Sequence, residues 1–199
     1  MKNILGILLI IYGCNLKEKS VSTEQVEQKS EAKFDYSNYI IEKEHLGKIQ
    51  VGTTIQEAEK HFSGLVKKKD EAENYGIYGG GHIFTYSKDK ELLFGIVPYD
   101  ATDKIMCIVV LSDSFKTKSG LTPSSKVEEI YKAYPNMKVE ISMESSEEYF
   151  FDEEKGLLFE FWTDEKDRVG KYITNEDQEK VKPNNLKIEC TQLIINKVD

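Results

Sequence analysis

An internal repeat constrains this chain more than any other feature, because its fold must contain the same small unit twice. The first copy begins at Gly52 and the second at Gly120, and each glycine is followed two residues later by a threonine that can cap a helix. In the second copy Pro123 comes next, in the first helical position, which proline tolerates. Apolar residues at helical spacing follow in both copies: Ile55, Ala58 and Phe62 in the first, and Val127, Ile130 and Tyr131 in the second. Each copy is therefore predicted to begin with an amphipathic helix.

A β-hairpin and a closing strand are predicted after each helix. In both copies a polar turn separates two apolar and aromatic runs, and the second run begins with Leu-Leu-Phe. The predicted hairpin strands are 83–86 and 92–97 in the first copy, and 148–151 and 157–162 in the second. The closing strands are 104–111 and 187–195, each with one cysteine, Cys107 or Cys190. A polar stretch at 174–185 predicts an exposed loop in the second copy only.

These units predict an α+β fold, because a small antiparallel sheet with one apolar face needs a cover, which a helix can supply. We expect two tandem helix-plus-antiparallel-sheet units, at residues 34–118 and 119–199. Two such units can join by their edges into one curved sheet, with the helices on one face. The other face would then be concave and free.

This organisation resembles the tandem-repeat fold of the β-lactamase inhibitory protein and, more loosely, the small outer-membrane lipoproteins of the barrel-assembly machinery. The two Gly-x-Thr helix starts and the two helix-hairpin-strand units carry the resemblance, over residues 47–196. It implies a protein that binds other proteins. The inhibitor has a disulfide within each repeat, whereas each repeat here holds one cysteine, so that pattern is absent.

The amino terminus has the organisation of a secretory signal. Lys2 precedes an apolar run at 4–12, which is shorter than the roughly 20 residues of a membrane-spanning helix. The sequence Ile-Tyr-Gly-Cys that ends at Cys14 resembles the bacterial lipobox. This resemblance implies cleavage of the signal peptide 1–13 and acylation of Cys14 with palmitate-type chains. The alternatives are an ordinary signal peptide cleaved elsewhere and a buried N-terminal helix.

A polar tether, residues 14–33, is predicted between the lipid and the folded part, because it has too little apolar surface to fold alone. Asn15 after the cysteine favours the outer membrane, if the organism has one, by the sorting pattern of the enteric lipoproteins it resembles. The net charge is −8, and loss of Lys2 with the signal peptide makes it −9. Without a basic stripe, this charge argues against nucleic-acid partners and leaves the anchoring to the lipid.

No sequence motif for catalysis, for a metal or for a cofactor is present, so the prediction leans against an enzyme. The three histidines, His45, His61 and His82, are not paired at metal-ligand spacing. Cys107 lies in an apolar run, where burial raises the pKa of a thiol and makes it a poor nucleophile. A disulfide between Cys107 and Cys190 and two separate buried thiols both remain open.

Three of the four candidate binding residues lie in or beside a glycine-rich segment, 76–82. Tyr75, Tyr78 and His82 would be the contacts of a recognition loop, and the alternative is an ordinary flexible turn. Trp162 is expected beside Glu160 on a half-exposed strand face, as a binding patch or as plain packing. Acidic stretches at 144–154 and 164–167 do not follow the calcium-loop pattern and are predicted to be solvated turns.

The sequence therefore predicts a membrane-anchored envelope lipoprotein that acts as a non-catalytic module for binding an envelope protein or an exported peptide. One alternative is an envelope hydrolase or metal-dependent enzyme whose site is assembled by the fold. Another is a small-ligand carrier, which would need a closed apolar cavity.

Overall fold

Antiparallel strands make up most of the structure, a computed structural model that describes residues 34–172 and 180–198. The signal peptide, Cys14, the tether and residues 174–179 of the predicted loop lie outside the described residues. No helix in the described ranges is long and apolar enough to cross a membrane.

Two sheets and two short α-helices are formed. The small sheet contains β1 (Ile41–Glu42), β2 (His45–Leu46) and β3 (Ile49–Gln50). The large sheet contains β4 (Val66–Glu71), β5 (His82–Lys88), β6 (Glu91–Pro98), β7 (Ile105–Val110), β8 (Glu140–Ile141), β9 (Glu148–Asp152), β10 (Leu157–Phe161) and β11 (Gln192–Asn196). The helices are α1 (Ile55–Glu59) and α2 (Val127–Ala133). Short 3-10 helices cover Tyr36–Asn38, Ala72–Tyr75 and Glu165–Asp167.

The strand order of the large sheet, β4-β5-β6-β7-β11-β10-β9-β8, consists of two antiparallel meanders side by side. The last strands of the two meanders pair with each other, with Val110 opposite Leu193 and Cys107 opposite Asn196. The predicted antiparallel hairpins are confirmed at β5–β6 and β9–β10. The fold is dominated by its sheets, however, because the two α-helices are only 5 and 7 residues long.

The start of the second helix differs from the prediction. Thr122 and Pro123 were expected to cap and open it, but α2 begins at Val127 with Lys126 as its N-cap residue. Thr122 instead belongs to a turn, in which its carbonyl accepts from the Ser125 N–H (3.1 Å) and its N–H donates to Ser125 Oγ (3.0 Å). This turn uses the backbone groups of Thr122 locally, so the helix starts only after it.

Two hydrophobic cores lie against the large sheet, and alternation along the strands separates them. On β6, for example, Ile96 belongs to the larger core and Val97 to the smaller one. Both α-helices and the small sheet contribute to the larger core. The expectation that the second face is free is wrong for the first meander, because Ala72, Tyr75 and Ile77 pack there in the smaller core.

The two cysteines are separate buried thiols, which was one of the two open alternatives. Cys107 lies in the smaller core and Cys190 in the larger one. Burial raises the pKa of each thiol to about 12, so neither is a reactive thiolate at neutral pH.

Candidate functional site

The segment that follows β4 crosses the second face of the large sheet. Its 3-10 helix, Ala72–Tyr75, is anchored by the fully buried Ala72 in the smaller core. Gly76 ends this helix with a left-handed backbone (φ 71°), and its N–H donates to the carbonyls of Ala72 and Glu73. Glycine adopts this conformation without strain, so the chain can turn sharply where it meets the strands.

Side chains from β10 and β11 hold this turn in place. Gln192 Nε2 donates to the Tyr75 carbonyl at 2.8 Å and to Glu160 Oε2 at 2.5 Å. The Trp162 indole N–H donates to the same Glu160 oxygen at 3.0 Å. We call these residues, Tyr75, Gly76, Glu160, Trp162 and Gln192, the tryptophan patch.

Trp162 is fixed at both its backbone and its indole while its ring stays partly open to solvent. Its backbone N–H donates to Thr191 Oγ1 at 3.0 Å, and 42 % of the residue is exposed. A large aromatic surface held in one orientation loses little conformational entropy on binding. This combination distinguishes Trp162 from an aromatic residue that merely fills a core.

The patch carries negative charge beneath and beside the tryptophan. Glu160 is only 6 % exposed, and burial raises the pKa of its carboxyl, although the hydrogen bonds from Trp162 and Gln192 oppose that rise. Burial also raises the pKa of Glu147, whose carboxylate accepts from the Thr163 N–H (3.2 Å). Asp164 and Asp167 lie with Trp162 and Glu147 around one shallow depression, so its rim is acidic.

Glu148 is a buried structural residue and not part of a solvated turn as expected. Its Oε1 accepts from the Gly170 N–H (2.7 Å) and the Tyr172 hydroxyl (2.9 Å). Its Oε2 accepts from the Val169 N–H (2.7 Å) and the Thr163 hydroxyl (3.1 Å). A buried carboxylate with four donors is fully paired and fixes the segment after β10 against β9. Alternation with the buried Phe150, two residues on, was the signal that could have revealed its burial.

The structure brings together two of the four predicted binding residues. Tyr75 and Trp162 meet in the tryptophan patch, and the Tyr75 hydroxyl also donates to Asp70 Oδ2 at 3.2 Å. Tyr78 lies exposed in the glycine-rich segment. The His82 ring packs edge-on against Phe84 (4.9 Å between centroids), which faces the larger core on the other side of the sheet. His82 is therefore not part of the patch.

Two residues that hold Trp162 and Glu160 in place were not predicted as site residues: Gln192, a member of the patch, and Thr191, which accepts from the Trp162 N–H. Gln192 is a buried polar residue (2 % exposed) at the start of an apolar strand, and this contrast was a usable signal. Among the described residues, no group of three or more His, Cys, Asp or Glu side chains is arranged to hold a metal ion. The carboxylate, the amide and the indole N–H of the patch are hydrogen-bonded to one another.

Comparisons with known proteins give neither a family nor an activity. No protein-family model matches the chain, and no curated protein matches it. Among solved structures, the uncharacterised protein YfeY from Escherichia coli is similar, with 13% sequence identity and a TM-score of 0.48. The similarity covers 78% of this chain and 97% of that chain.

Proposed function

We propose that this protein is a lipid-anchored envelope lipoprotein whose folded part binds a partner polypeptide, without catalysis, through the tryptophan patch. The single observation that carries the binding proposal is the partly exposed Trp162, whose indole N–H is bonded to the buried Glu160. Tryptophan is among the residues that contribute most to protein interfaces, and here its polar atom is already paired. A partner would gain the apolar contact without breaking a hydrogen bond.

The acidic rim favours a partner segment that carries lysine or arginine. A cation placed over an indole ring is attracted by its π-system, and carboxylates at the rim add to that attraction. Glu147, Asp164 and Asp167 supply these carboxylates around Trp162. The net charge of −8 attracts a basic partner at longer range as well.

The anchoring part of the proposal rests on the first residues of the chain. The short apolar run, Gly13 and Cys14 together support cleavage before Cys14 and acylation of its thiol. Two or more acyl chains hold a protein firmly at a membrane, whereas one chain binds reversibly. The outer membrane is the proposed location if the organism has one, and the partner would be an envelope protein or an exported peptide.

Cross-linking and pull-down from membranes tests the binding. Trp162→Ala should abolish the capture of a specific partner, and raising the salt concentration should weaken it. Tyr99→Ala is the matched control, because Tyr99 is similarly exposed (40 %) but lies away from the patch. The Tyr99 N–H donates to the carbonyl of Lys104, just before the first residue of β7. The patch lies near the last residue of β7, since Leu193, next to Gln192, pairs with Val110. Equal capture by the wild type and the Trp162→Ala variant would refute the patch as the binding site.

Fractionation tests the anchor independently. Cys14→Ser should move the protein from the membrane to the soluble fraction, since no acyl chain can then be attached. If this variant stays in the membrane fraction, the lipid-anchor proposal fails, whatever the result for Trp162.

A further inference from the structure

A second concave site lies at the seam between the two halves of the chain and shares no residue with the tryptophan patch. Its volume is about 490 Å³, within the range of small-ligand sites. Segments from both halves form it: β1 and the loop before Gly120 on one side, and the end of α2 and the β9–β10 turn on the other. We call it the seam pocket, with Ile41, Lys43, Lys118, Tyr134, Lys155 and Leu157 as its defining residues.

The pocket has an apolar floor. Ile41 and Leu157 are each 2 % exposed, and both belong to the larger hydrophobic core. The Tyr134 ring packs against the same core, with Phe159 at 5.9 Å between centroids. Because Ile41 and Leu157 expose little surface, a ligand in the pocket would lie mainly against the half-buried Tyr134 ring, which the core holds in place.

The rim of the pocket is basic, in contrast to the acidic protein as a whole. Lys43, Lys118 and Lys155 line it with a single carboxylate, Glu42, which pairs with Lys118 Nζ at 2.5 Å. Lys155 Nζ is near Asp152 Oδ2 (3.1 Å) and lies 4.6 Å from the centre of the Tyr134 ring. Even with Asp152 counted, the lysines exceed the carboxylates by one, so the local charge is opposite in sign to the net charge of −8.

Hydroxyl groups complete the lining. Thr117 and Ser119 face the same space, and their Oγ atoms lie 2.9 Å apart. Hydroxyls donate to an anionic oxygen as readily as to each other, so they can contribute to holding a head group.

We propose that the seam pocket binds a small amphiphile with one anionic head group, such as a medium-chain carboxylate. The chain lies mainly on the Tyr134 ring, above the core residues Ile41 and Leu157, and the head group is held by the lysines at the rim. Neither half of the protein forms this site alone, because the floor and the lysines come from both.

The test titrates decanoate into the full-length Cys14→Ser protein and monitors the backbone amide NMR signals. Decanoate should shift the Thr117 and Ser119 signals saturably. Two further probes separate the two parts of the site: 1-decanol has the chain without the charge, and inorganic phosphate has charge without a chain. Each should bind more weakly than decanoate.

The variant Lys43→Glu/Lys118→Glu should weaken decanoate binding by about tenfold or more, because four units of charge change at the rim. The matched control is Lys68→Glu/Lys69→Glu, which has the same charge change on the exposed edge strand β4 and should bind like the wild type. Circular dichroism confirms that both variants are folded.

Three outcomes would overturn the proposal. They are no saturable shift with decanoate, equal binding of 1-decanol or phosphate, and equal weakening by the two lysine pairs. None of them bears on the tryptophan patch, so this site and the proposed function fail or survive separately.

Discussion

Gly76 determines how closely the glycine-rich segment approaches Trp162. A Cβ atom there would lie 2.9 Å from Glu160 Oε2 and 3.1 Å from both Gln192 Nε2 and Trp162 Cζ2. Gly79 has the same backbone angle (φ 71°), but a Cβ there would meet no atom within 4 Å. Substitution of Gly79 therefore tests backbone strain alone, whereas substitution of Gly76 tests the same strain together with contact with the patch.

We predict that Gly79→Ala destabilises the fold by about 1–2 kcal/mol, through the left-handed backbone alone. Gly76→Ala should cost at least about 1 kcal/mol more, because it also displaces the side chains of the patch. Urea unfolding of the two variants measures the difference. Gly76→Ala should also lose capture of the partner while Gly79→Ala keeps it, and equal stability of the two variants would contradict the packing described for the patch.

Glu160 gives the patch a defined pH dependence. Burial raises the pKa of its carboxyl above the ordinary 4.5, so the folded protein holds this proton more tightly than the unfolded chain. Its contribution to the free energy of unfolding is therefore most favourable below the ordinary pKa and falls as pH rises through the raised value. Glu160→Gln should remove this fall, seen as a smaller loss of stability than in the wild type as pH rises above the ordinary pKa of a glutamate.

Glu57 is the control for that measurement, because its pKa is lowered whereas the pKa of Glu160 is raised. Hydrogen bonds from Thr54 lower the pKa of Glu57, so its contribution is present at neutral pH and is lost as pH falls through the lowered value. Glu57→Gln should thus flatten the acid side of the stability curve. If Glu160→Gln and Glu57→Gln change the slope of the free energy of unfolding against pH in the same direction, the burial assigned to Glu160 is wrong.

Strand alternation was enough to place Trp162 and Glu160 on one face, but not to find their partners. Gln192 is 32 residues from Glu160 in sequence. Its role depends on β11 lying between β7 and β10, which is a property of the sheet order and not of any local pattern. His82 was predicted as a loop residue, but it begins β5, where it lies on the same face as Phe84.

The two α-helices begin with the same backbone geometry but different caps. Thr54 (φ −77°, ψ 150°) accepts from the Glu57 N–H at 3.2 Å, and the Glu57 carboxylate accepts in return from the Thr54 N–H. Lys126 (φ −69°, ψ 150°) has only the second half of this capping box, its N–H donating to Glu129 Oε2 at 2.9 Å. A lysine side chain has no acceptor atom with which to complete it.

Lys126→Ser should therefore stabilise the protein by about 0.5–1 kcal/mol, by adding a side-chain acceptor for the Glu129 N–H, which now donates only to the Lys126 carbonyl at 2.9 Å. Thr54→Ala, its counterpart in α1, should destabilise the protein by about 1 kcal/mol. Thermal and urea unfolding measure both. A loss of stability in Lys126→Ser would mean that α2 does not start where the structure places it.

The predictable elements were those with strong apolar alternation. The hairpins β5–β6 and β9–β10 carry it and were predicted within a few residues. The edge strand β4 was not predicted, because its sequence Val-Lys-Lys-Lys-Asp-Glu is polar and five of its six residues are exposed. Its pairing with β5 stabilises it, and lysines on such an edge discourage pairing with other chains.

The pairing of β7 with β11 makes one large sheet out of two meanders, and the described residues, 34–172 and 180–198, belong to a single compact unit. In the first half alone β7 would become a free apolar edge, and in the second half alone β11 would. We predict that residues 34–118 and 119–199, expressed separately, do not fold, because an exposed apolar edge strand favours aggregation. Well-dispersed NMR spectra from an isolated half would instead show that the predicted boundaries enclose independent domains.

The repeat also explains the symmetry of this joint. The strands that meet are the last of each meander, and they run antiparallel, as in a twofold-symmetric dimer whose subunits pair through equivalent edges. From the sequence, the edge-to-edge joining of two units could be expected. Which edges join could not, because edges pair through backbone N–H and C=O groups, which every strand presents alike.

Trp162 is the only tryptophan in the sequence. All indole fluorescence of the molecule therefore originates in the patch, from a residue that is 42 % exposed and whose indole N–H is bonded to a buried carboxylate. A polypeptide that covers this ring should shift its emission to shorter wavelength, whereas an amphiphile in the seam pocket should leave the spectrum unchanged. The protein thus carries its own optical probe, which reports on one of its two proposed sites and is silent for the other.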